Sequence, residues 1–187
     1  MSSHIRLAKV EDAPAMGQVM VDTWLSAHHG QIPQGQWQKR REEWTYDVSE
    51  RGWRELLEEI DSEDDNQYCV YVAVADTDEV VGIAVGRPAI LNLLADAAEV
   101  SSIYVRTSYQ GQGLGRSLIQ AIAAHQAALG KRSLIIRALE TNTPARNFYE
   151  ALGGRVIGTH ETEDYGFKEP QVVYGWKDIT VLAKGAT

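Results

Sequence analysis

Residues 98 to 116 read Ala-Glu-Val-Ser-Ser-Ile-Tyr-Val-Arg-Thr-Ser-Tyr-Gln-Gly-Gln-Gly-Leu-Gly-Arg, an apolar run followed by closely spaced glycines. Its first half, Val100 to Val105, is rich in β-branched and aromatic residues, which is typical of a strand. Its second half is a glycine cluster that runs into apolar residues at helical spacing: Gly111, Gly113 and Gly115, then Leu114, Leu118, Ile119 and Ile122. We therefore predict a strand, a glycine turn and the start of a helix.

The glycine turn is suited to binding an anion. The first N–H groups of a helix have no partner within the helix, and the helix dipole adds partial positive charge there. Glycines lack the Cβ atoms that would hold a phosphate away from those groups. No Gly-Lys-Ser/Thr follows, so the stretch is not a Walker A loop, and its Gly-x-Gly-x-Gly spacing differs from the dinucleotide fingerprint. On this stretch alone, a plain glycine-rich turn stays an alternative.

A second stretch, residues 142 to 154, reads Asn-Thr-Pro-Ala-Arg-Asn-Phe-Tyr-Glu-Ala-Leu-Gly-Gly. Together with the strand and the glycine turn, it resembles the GNAT superfamily of N-acetyltransferases. The acyl-CoA loop of that family has the form Gln/Arg-x-x-Gly-x-Gly/Ala, and a later helix carries Asn-x-x-Ala-x-x-Phe-Tyr-x-x-x-Gly. Both patterns are present in the family's order and spacing. The resemblance covers roughly residues 65 to 177 well and the first 60 residues only loosely.

The composition is that of an ordinary soluble globular protein. With 187 residues, of which 44% are hydrophobic, the chain can bury a sizeable core, and we predict a single domain over residues 1–187. No apolar run approaches the roughly 20 residues that span a membrane, and the N-terminus lacks the apolar core of a signal peptide. Cys69 alone cannot form an internal disulfide and is expected to be a buried thiol. The expected location is the cytoplasm.

The net charge of −8 argues against broad nucleic-acid binding, which favours basic surfaces. It is compatible with a cationic or amine partner attracted by an acidic cleft. Part of the charge comes from two acidic clusters, at residues 58–65 and 161–164, which we interpret as solvated loops. No residues suggest a metal site.

The resemblance implies an α/β (α+β) fold with a mixed, largely antiparallel sheet flanked by helices. From the residues we predict Asp12 as the N-cap of a first helix and Ser49 as the cap of another helix through Ile60. Residues 68–75 and 80–85 form a hairpin. Residues 132–138 form a strand parallel to the central one, since a helix separates them. Two closing strands, 155–159 and 171–177, flank a charged loop.

Four of the five tryptophans fall between residues 24 and 53. Such an aromatic stripe usually packs in the core, and the alternative is that the segment lines an acceptor pocket. The adjacent His28 and His29 point about 100° apart on a helix, which disfavours a metal pair and leaves a substrate-facing role open for one of them.

The resemblance also implies the donor site. Acetyl-CoA is the expected cosubstrate, with its pantetheine arm beside the central strand, its pyrophosphate on the glycine turn and an asparagine side chain bonding the arm. The residues that match are Ile103, Tyr104, Val105, Gln110, Gly111, Gln112, Gly113, Leu114, Gly115, Arg116 and Asn142.

Two residues match the family's catalytic positions. Tyr149 corresponds to the tyrosine proposed as the general acid for the departing thiolate. Glu99 heads the central strand, where many members carry a glutamate that serves as a base through water. Glu161 or His160 is a second candidate for the base.

We therefore predict an acetyl-CoA-dependent N-acetyltransferase that acts on a primary amine by direct attack in a ternary complex. A non-catalytic acyl-CoA sensor or regulatory module is the alternative, and a nucleotide-binding protein of another fold is a third. The expected partner is a small-molecule or peptide amine, neither nucleic acid nor membrane. An edge strand near the C-terminus would allow a homodimer.

Overall fold

The protein is built around one mixed seven-stranded sheet. The structure is a computed structural model that describes residues 3–62, 67–164 and 166–183. The strand order is β1-β2-β3-β4-β5-β7-β6, and only the β4–β5 pair is parallel. The prediction of a mixed, largely antiparallel sheet is confirmed. The strands are β1 (Ser3–Leu7), β2 (Cys69–Ala75), β3 (Val80–Pro88), β4 (Ala97–Val105), β5 (Ser133–Leu139), β6 (Arg155–Asp164) and β7 (Phe167–Trp176).

Helices cover both faces of the sheet. They are α1 (Ala13–His28), α2 (Gln34–Glu43), α3 (Tyr46–Ser62), α4 (Leu114–Ala128), α5 (Thr143–Ala151) and the short α6 (Thr180–Ala183). Side chains alternate along each strand, so the sheet supplies two cores. On one face, Met16 of α1 and Trp53 of α3 pack with the strands; on the other, Leu118 and Ile122 of α4 do so. Cys69 is buried in the second core, as expected.

The sheet opens between β4 and β5. Their parallel pairing joins residues 97–100 to residues 133–136 and then stops. In the β3–β4 pairing, Val85 faces Ser102 and Gly86 faces Val100, so Ser101 is an extra residue that forms a β-bulge in β4. The remainder of β5 continues along β7 instead. A gap therefore separates the ends of two neighbouring strands, and it begins where β4 bulges.

The two predicted helix caps have different outcomes: Asp12 is the N-cap residue of α1, as predicted, whereas Ser49 is not the cap of α3. The Asp12 carboxylate accepts hydrogen bonds from the Arg6 guanidinium, at 2.7 and 2.8 Å, and from the Lys9 N–H, so it is not available to cap α1. Helix α3 begins at Tyr46, before Ser49, and the Thr45 hydroxyl accepts from the Val48 N–H at 3.3 Å. Asp12 thus occupies the cap position without a side-chain bond to the helix, and Ser49 lies inside α3.

The predicted loop between the closing strands is also wrong, because β6 and β7 form a long hairpin that pairs as far as Asp164 and Phe167. Charged residues can face solvent on such an edge hairpin, as the Lys168–Glu161 ion pair at 2.7 Å does. The acidic cluster at residues 161–164 thus lies on a strand. The cluster at residues 58–65 begins in α3, and its positions 63–65 lie outside the described residues. No helix within the described ranges is both long and apolar enough to cross a bilayer.

Candidate active site

A cleft of about 890 Å³ occupies the gap between β4 and β5. Its walls come from both strands, from the turn before α4, from the start of α5, and from the C-terminal end of α1 with parts of α2 and β7. All of the predicted donor-site residues except Gln112 line it. The Gln112 side chain instead donates to the Ser108 carbonyl at 3.2 Å.

The glycine turn forms one end of the cleft. Gly111 and Gly113 have φ angles of 74° and 86°, in the left-handed region where glycine carries no Cβ penalty. Gly113 is the N-cap residue of α4, so the N–H groups of the next residues have no partner inside the helix. Gln110 braces the turn by donating to the Val105 carbonyl at 2.9 Å. The result is a helix N-terminus open to an anion at the cleft.

The third glycine has a different role. A Cβ atom on Gly115 would lie 3.2 Å from the ring of Phe148, which is tighter than ordinary packing. Gly115 therefore allows α5 to pack closely against the first turn of α4. This contact holds the glycine turn next to Tyr149.

The end of β4 lies along the floor of the cleft. Residues 102–105 pair with β3 on one side, whereas their other edge has no strand partner in the described chain. The backbone on that edge is free to bond an extended ligand. Burial raises the pKa of Tyr104 to about 12, so its hydroxyl keeps its proton at neutral pH.

Tyr149 combines burial with access to the cleft. It is 5% exposed and packs beside Phe148 and Tyr174, with ring centroids 5.5 and 5.8 Å away. Burial raises its pKa well above the ordinary value for tyrosine, and Tyr104 adds to the effect. Among the described residues, its hydroxyl has no hydrogen-bond partner. Tyr149 is thus a protonated donor without a competing acceptor.

Asn142 lies where β5 leads into α5 and lines the cleft. Its Oδ1 accepts from the Ala145 N–H at 3.2 Å and so caps α5. The side-chain amide nitrogen is not used by this cap.

Glu99 lies outside the cleft. It is fully buried, and its carboxylate accepts from the Arg137 Nε at 2.8 Å while Arg87 lies 3.5 Å away. Arg137 does line the cleft, where it also donates to Gln171 at 3.0 Å. The structure therefore brings Arg137 to the site and keeps Glu99 behind it. Glu161 and His160, the second candidates for the base, are not among the cleft residues either.

The other end of the cleft contains residues that sequence reasoning left unassigned. Trp24 and His28 of α1 stack at 4.3 Å, and Arg40 of α2 lies 5.3 Å from the Trp24 ring. Glu169 and Gln171 of β7 complete this end. Trp53, in contrast, belongs to the core, so the tryptophans divide between the two interpretations. The aromatic stripe was the available sequence signal for this end.

A polar network fixes this end of the cleft. The Gln36 side chain is fully buried and donates to Glu169 at 2.6 Å and to Asp164 at 3.3 Å. Arg40 pairs with Asp164 at 3.1 Å. Burial raises the pKa of Glu169, and the negative charge of Asp164 contributes further. The network ties α2 to the β6–β7 hairpin.

The sequence model of the Acetyltransferase (GNAT) family matches residues 34–154, which is more than half of the chain. The chain belongs to the GNAT family of acetyltransferases. The resemblance inferred from the two motifs is confirmed, and the chain is accordingly an enzyme of the N-acetyltransferase class.

Sequence relatives and solved structures agree with the GNAT assignment. The chain is 29% identical over 126 residues to the peptidyl-lysine N-acetyltransferase YjaB of Salmonella typhimurium, covering 67% of this chain and 77% of YjaB. It is 26% identical to the uncharacterized N-acetyltransferase YuaI of Bacillus subtilis, covering 95% of each. The fold resembles that of PaiA N-acetyltransferase from Thermoplasma acidophilum, solved with coenzyme A (TM-score 0.71, 20% identity, 95% and 99% coverage).

Proposed function

We propose that this GNAT enzyme transfers the acetyl group of acetyl-CoA to a primary amine by direct attack in a ternary complex. The observation that carries the proposal is one continuous cleft that contains the helix N-terminus at the glycine turn, the unpaired edge of β4 and the protonated Tyr149. An anion site, a backbone edge and a proton donor are the three elements that an acyl-CoA reaction needs.

The donor occupies the half of the cleft next to α4. Its pyrophosphate binds at residues 110–116, where the first N–H groups of α4 have no helical partner and Arg116 adds positive charge. The pantetheine arm bonds the open edge of Ile103 to Val105, and the amide nitrogen of Asn142 donates to the arm. Binding of coenzyme A or acetyl-CoA by solved GNAT structures supports this placement.

The acetyl transfer follows in two bond changes. The neutral amine forms a bond to the thioester carbon, and a backbone N–H near Val105 stabilises the resulting oxyanion, an effect worth about 3 kcal/mol. The C–S bond then breaks. Tyr149 gives its hydroxyl proton to the departing sulfur and regains a proton from the nitrogen of the intermediate. One further proton, that of the original ammonium, must leave before attack.

Glu99 stays a prediction for the base that removes this proton through water. Its ion pairs with Arg137 and Arg87 occupy the carboxylate and favour a positioning role, in which Glu99 holds Arg137 at the cleft wall.

The test of the function is thiol release from acetyl-CoA across a panel of amines, with calorimetric CoA binding on the same sample. We expect tight CoA binding and turnover with at least one amine. CoA binding without turnover by any amine would favour the sensor module, and no CoA binding would overturn the proposal.

The glycine turn gives a prediction about the donor. We expect Gly113→Ala to weaken CoA binding about tenfold or more, which corresponds to about 1.4 kcal/mol, because alanine disfavours a φ of 86° and its methyl group crowds the anion site. Calorimetric titration with CoA measures the change. Gly130→Ala is the matched control, since Gly130 has a φ of 85° at the opposite end of α4 with open space around it. Equal losses of affinity in both variants would contradict the placement of the pyrophosphate.

The polar network gives a prediction about the acceptor. The Glu169 carboxylate lines the cleft and accepts hydrogen bonds from Gln36 and Thr162, so its negative charge can attract a cationic group that enters the cleft. We therefore expect Glu169→Gln to raise KM about tenfold for amines that carry a second positive charge and to leave monoamines unchanged. Because burial raises the pKa of Glu169, wild-type discrimination is lost as the pH falls and at a higher pH than for an ordinary carboxylate.

Steady-state kinetics with a diamine and a monoamine of equal length measures this effect. Glu163→Gln removes the same charge from an exposed position on β6 and serves as the control. An equal rise in KM for both amines would contradict a charge-recognition role for Glu169.

A further inference from the structure

His28 lies at the C-terminus of α1, at the end of the cleft formed with α2 and β7, which is where we place the acceptor. Its ring stacks on Trp24 with a centroid distance of 4.3 Å and an interplanar angle of 17°. Trp24 also contacts Trp44 edge-on. The stack holds the imidazole in one orientation at the wall of the cleft.

The hydrogen bonding of His28 fixes which nitrogen carries the proton. Nδ1 lies 2.8 Å from the Trp24 carbonyl oxygen. A carbonyl oxygen only accepts, so Nδ1 is the protonated nitrogen and Nε2 of the neutral ring carries a lone pair. Among the described residues, Nε2 has no hydrogen-bond partner. A bound acceptor can therefore bond to it without displacing a protein group.

The surroundings favour the neutral ring. Burial lowers the pKa of His28 below its ordinary value, and the positive charge of Arg40 from α2 lowers it further. The hydrogen bond to the Trp24 carbonyl raises the pKa but does not outweigh these two effects. The charged groups nearby on other elements are Asp164 of β6, which pairs with Arg40, and Glu169 of β7. At neutral pH the imidazole is thus ready to accept a proton.

We propose that His28 is the base that deprotonates the acceptor amine. The Nε2 lone pair takes one proton from the acceptor R–NH₃⁺, which gives R–NH₂ and an imidazolium; the amine then attacks the thioester, and the imidazolium returns its proton to solvent. This role rests on the proposed function and replaces Glu99 at that step, since Glu99 is buried behind Arg137 and does not reach the cleft.

The experiment compares the pH dependence of kcat for wild type and His28→Gln, at saturating acetyl-CoA and with the amine from the panel that wild type turns over fastest. Wild-type kcat should fall as the pH drops through the lowered pKa of His28. We expect His28→Gln to lower kcat about 100-fold at pH near 7, within the range of general-base catalysis. The loss should shrink about tenfold or more as the pH approaches the pKa of the amine, about 10, because the free amine then needs no base.

His29→Gln is the matched control. His29 is the next residue, is exposed and does not line the cleft, so its substitution should leave the profile unchanged. Glu99→Gln is the competing variant: it should keep the acid-side fall of kcat if His28 is the base and lose it if Glu99 is. CoA binding by each variant shows that the donor half is intact.

A loss in His28→Gln that is the same at every pH would show a structural role and overturn the proposal, as would an unchanged rate. Nitrogen NMR of the imidazoles in wild type gives a second readout that needs no stable variant: His28 must carry its proton on Nδ1 and titrate at the pKa seen in kcat. A wild type without turnover would instead overturn the proposed function itself, and that outcome is distinct from a wild type that turns over with His28 dispensable.

Discussion

Tyr149→Phe should lower kcat by about 100-fold while CoA affinity and the free energy of unfolding stay close to those of the wild type. The substitution removes only the hydroxyl, which has no hydrogen-bond partner among the described residues, so the fold loses no contact of that group. The departing thiolate loses its proton donor, and general-acid catalysis typically contributes about 100-fold or more. Stopped-flow or steady-state detection of free thiol measures the change.

Tyr174→Phe is the matched control, because it removes a hydroxyl from an equally buried ring that packs against Tyr149. The Tyr174 hydroxyl donates to Glu150 at 2.8 Å and accepts from Arg146 at 3.2 Å, and it does not line the cleft. We therefore expect this variant to lose about 1 kcal/mol of stability and to keep its rate. If Tyr149→Phe turned over normally, Tyr149 would not be the acid.

The second large effect is on stability. Glu99→Gln should lower the free energy of unfolding by about 3 kcal/mol, because it leaves Arg137 and Arg87 without their buried counter-charge. Chemical denaturation monitored by tryptophan fluorescence measures the loss. The dependence of the unfolding free energy on denaturant concentration should keep its slope if only stability changes.

Glu50→Gln provides the comparison for Glu99. Glu50 pairs with Arg54 at 3.0 Å one helical turn away, on the partly exposed surface of α3. Such a surface pair contributes about 0.5 kcal/mol or less. Similar small losses in both variants would mean that the Glu99 ion pairs are not structural, and the carboxylate would regain its place as a candidate base.

The part of the cleft around the glycine turn could be predicted from the sequence because it is local. The glycine turn, its strand and its helix are contiguous, and the groups that we propose for donor binding are backbone N–H groups rather than distant side chains. The strand order near β4 followed from a helix between two apolar runs. The resemblance to the GNAT helix motif predicts Tyr149, and both Tyr149 and Phe148 line the cleft.

The acceptor half could not be predicted because distant segments assemble it. Gln36 and Glu169 are 133 positions apart and meet at 2.6 Å. Glu99 shows the opposite difficulty: its position in the motif suggested access to substrate, whereas the two arginines that bury it are 12 and 38 positions away and became visible only in the fold. The hairpin was mistaken for a loop because charge on an edge strand and charge on a loop look alike in sequence.

The buried amide of Gln36 joins two segments, α2 and the β6–β7 hairpin, that contribute no residue to the glycine turn. Selection for a new acceptor can therefore act on this pair of segments without changing the glycine turn and β4, where we propose that the thioester binds. For protein engineering, the same separation suggests exchanging α2 and the hairpin together, as a unit joined by Gln36 and by the Arg40–Asp164 ion pair, when a different amine is wanted. Exchanging either segment alone would leave the Gln36 amide buried without its hydrogen-bond partners.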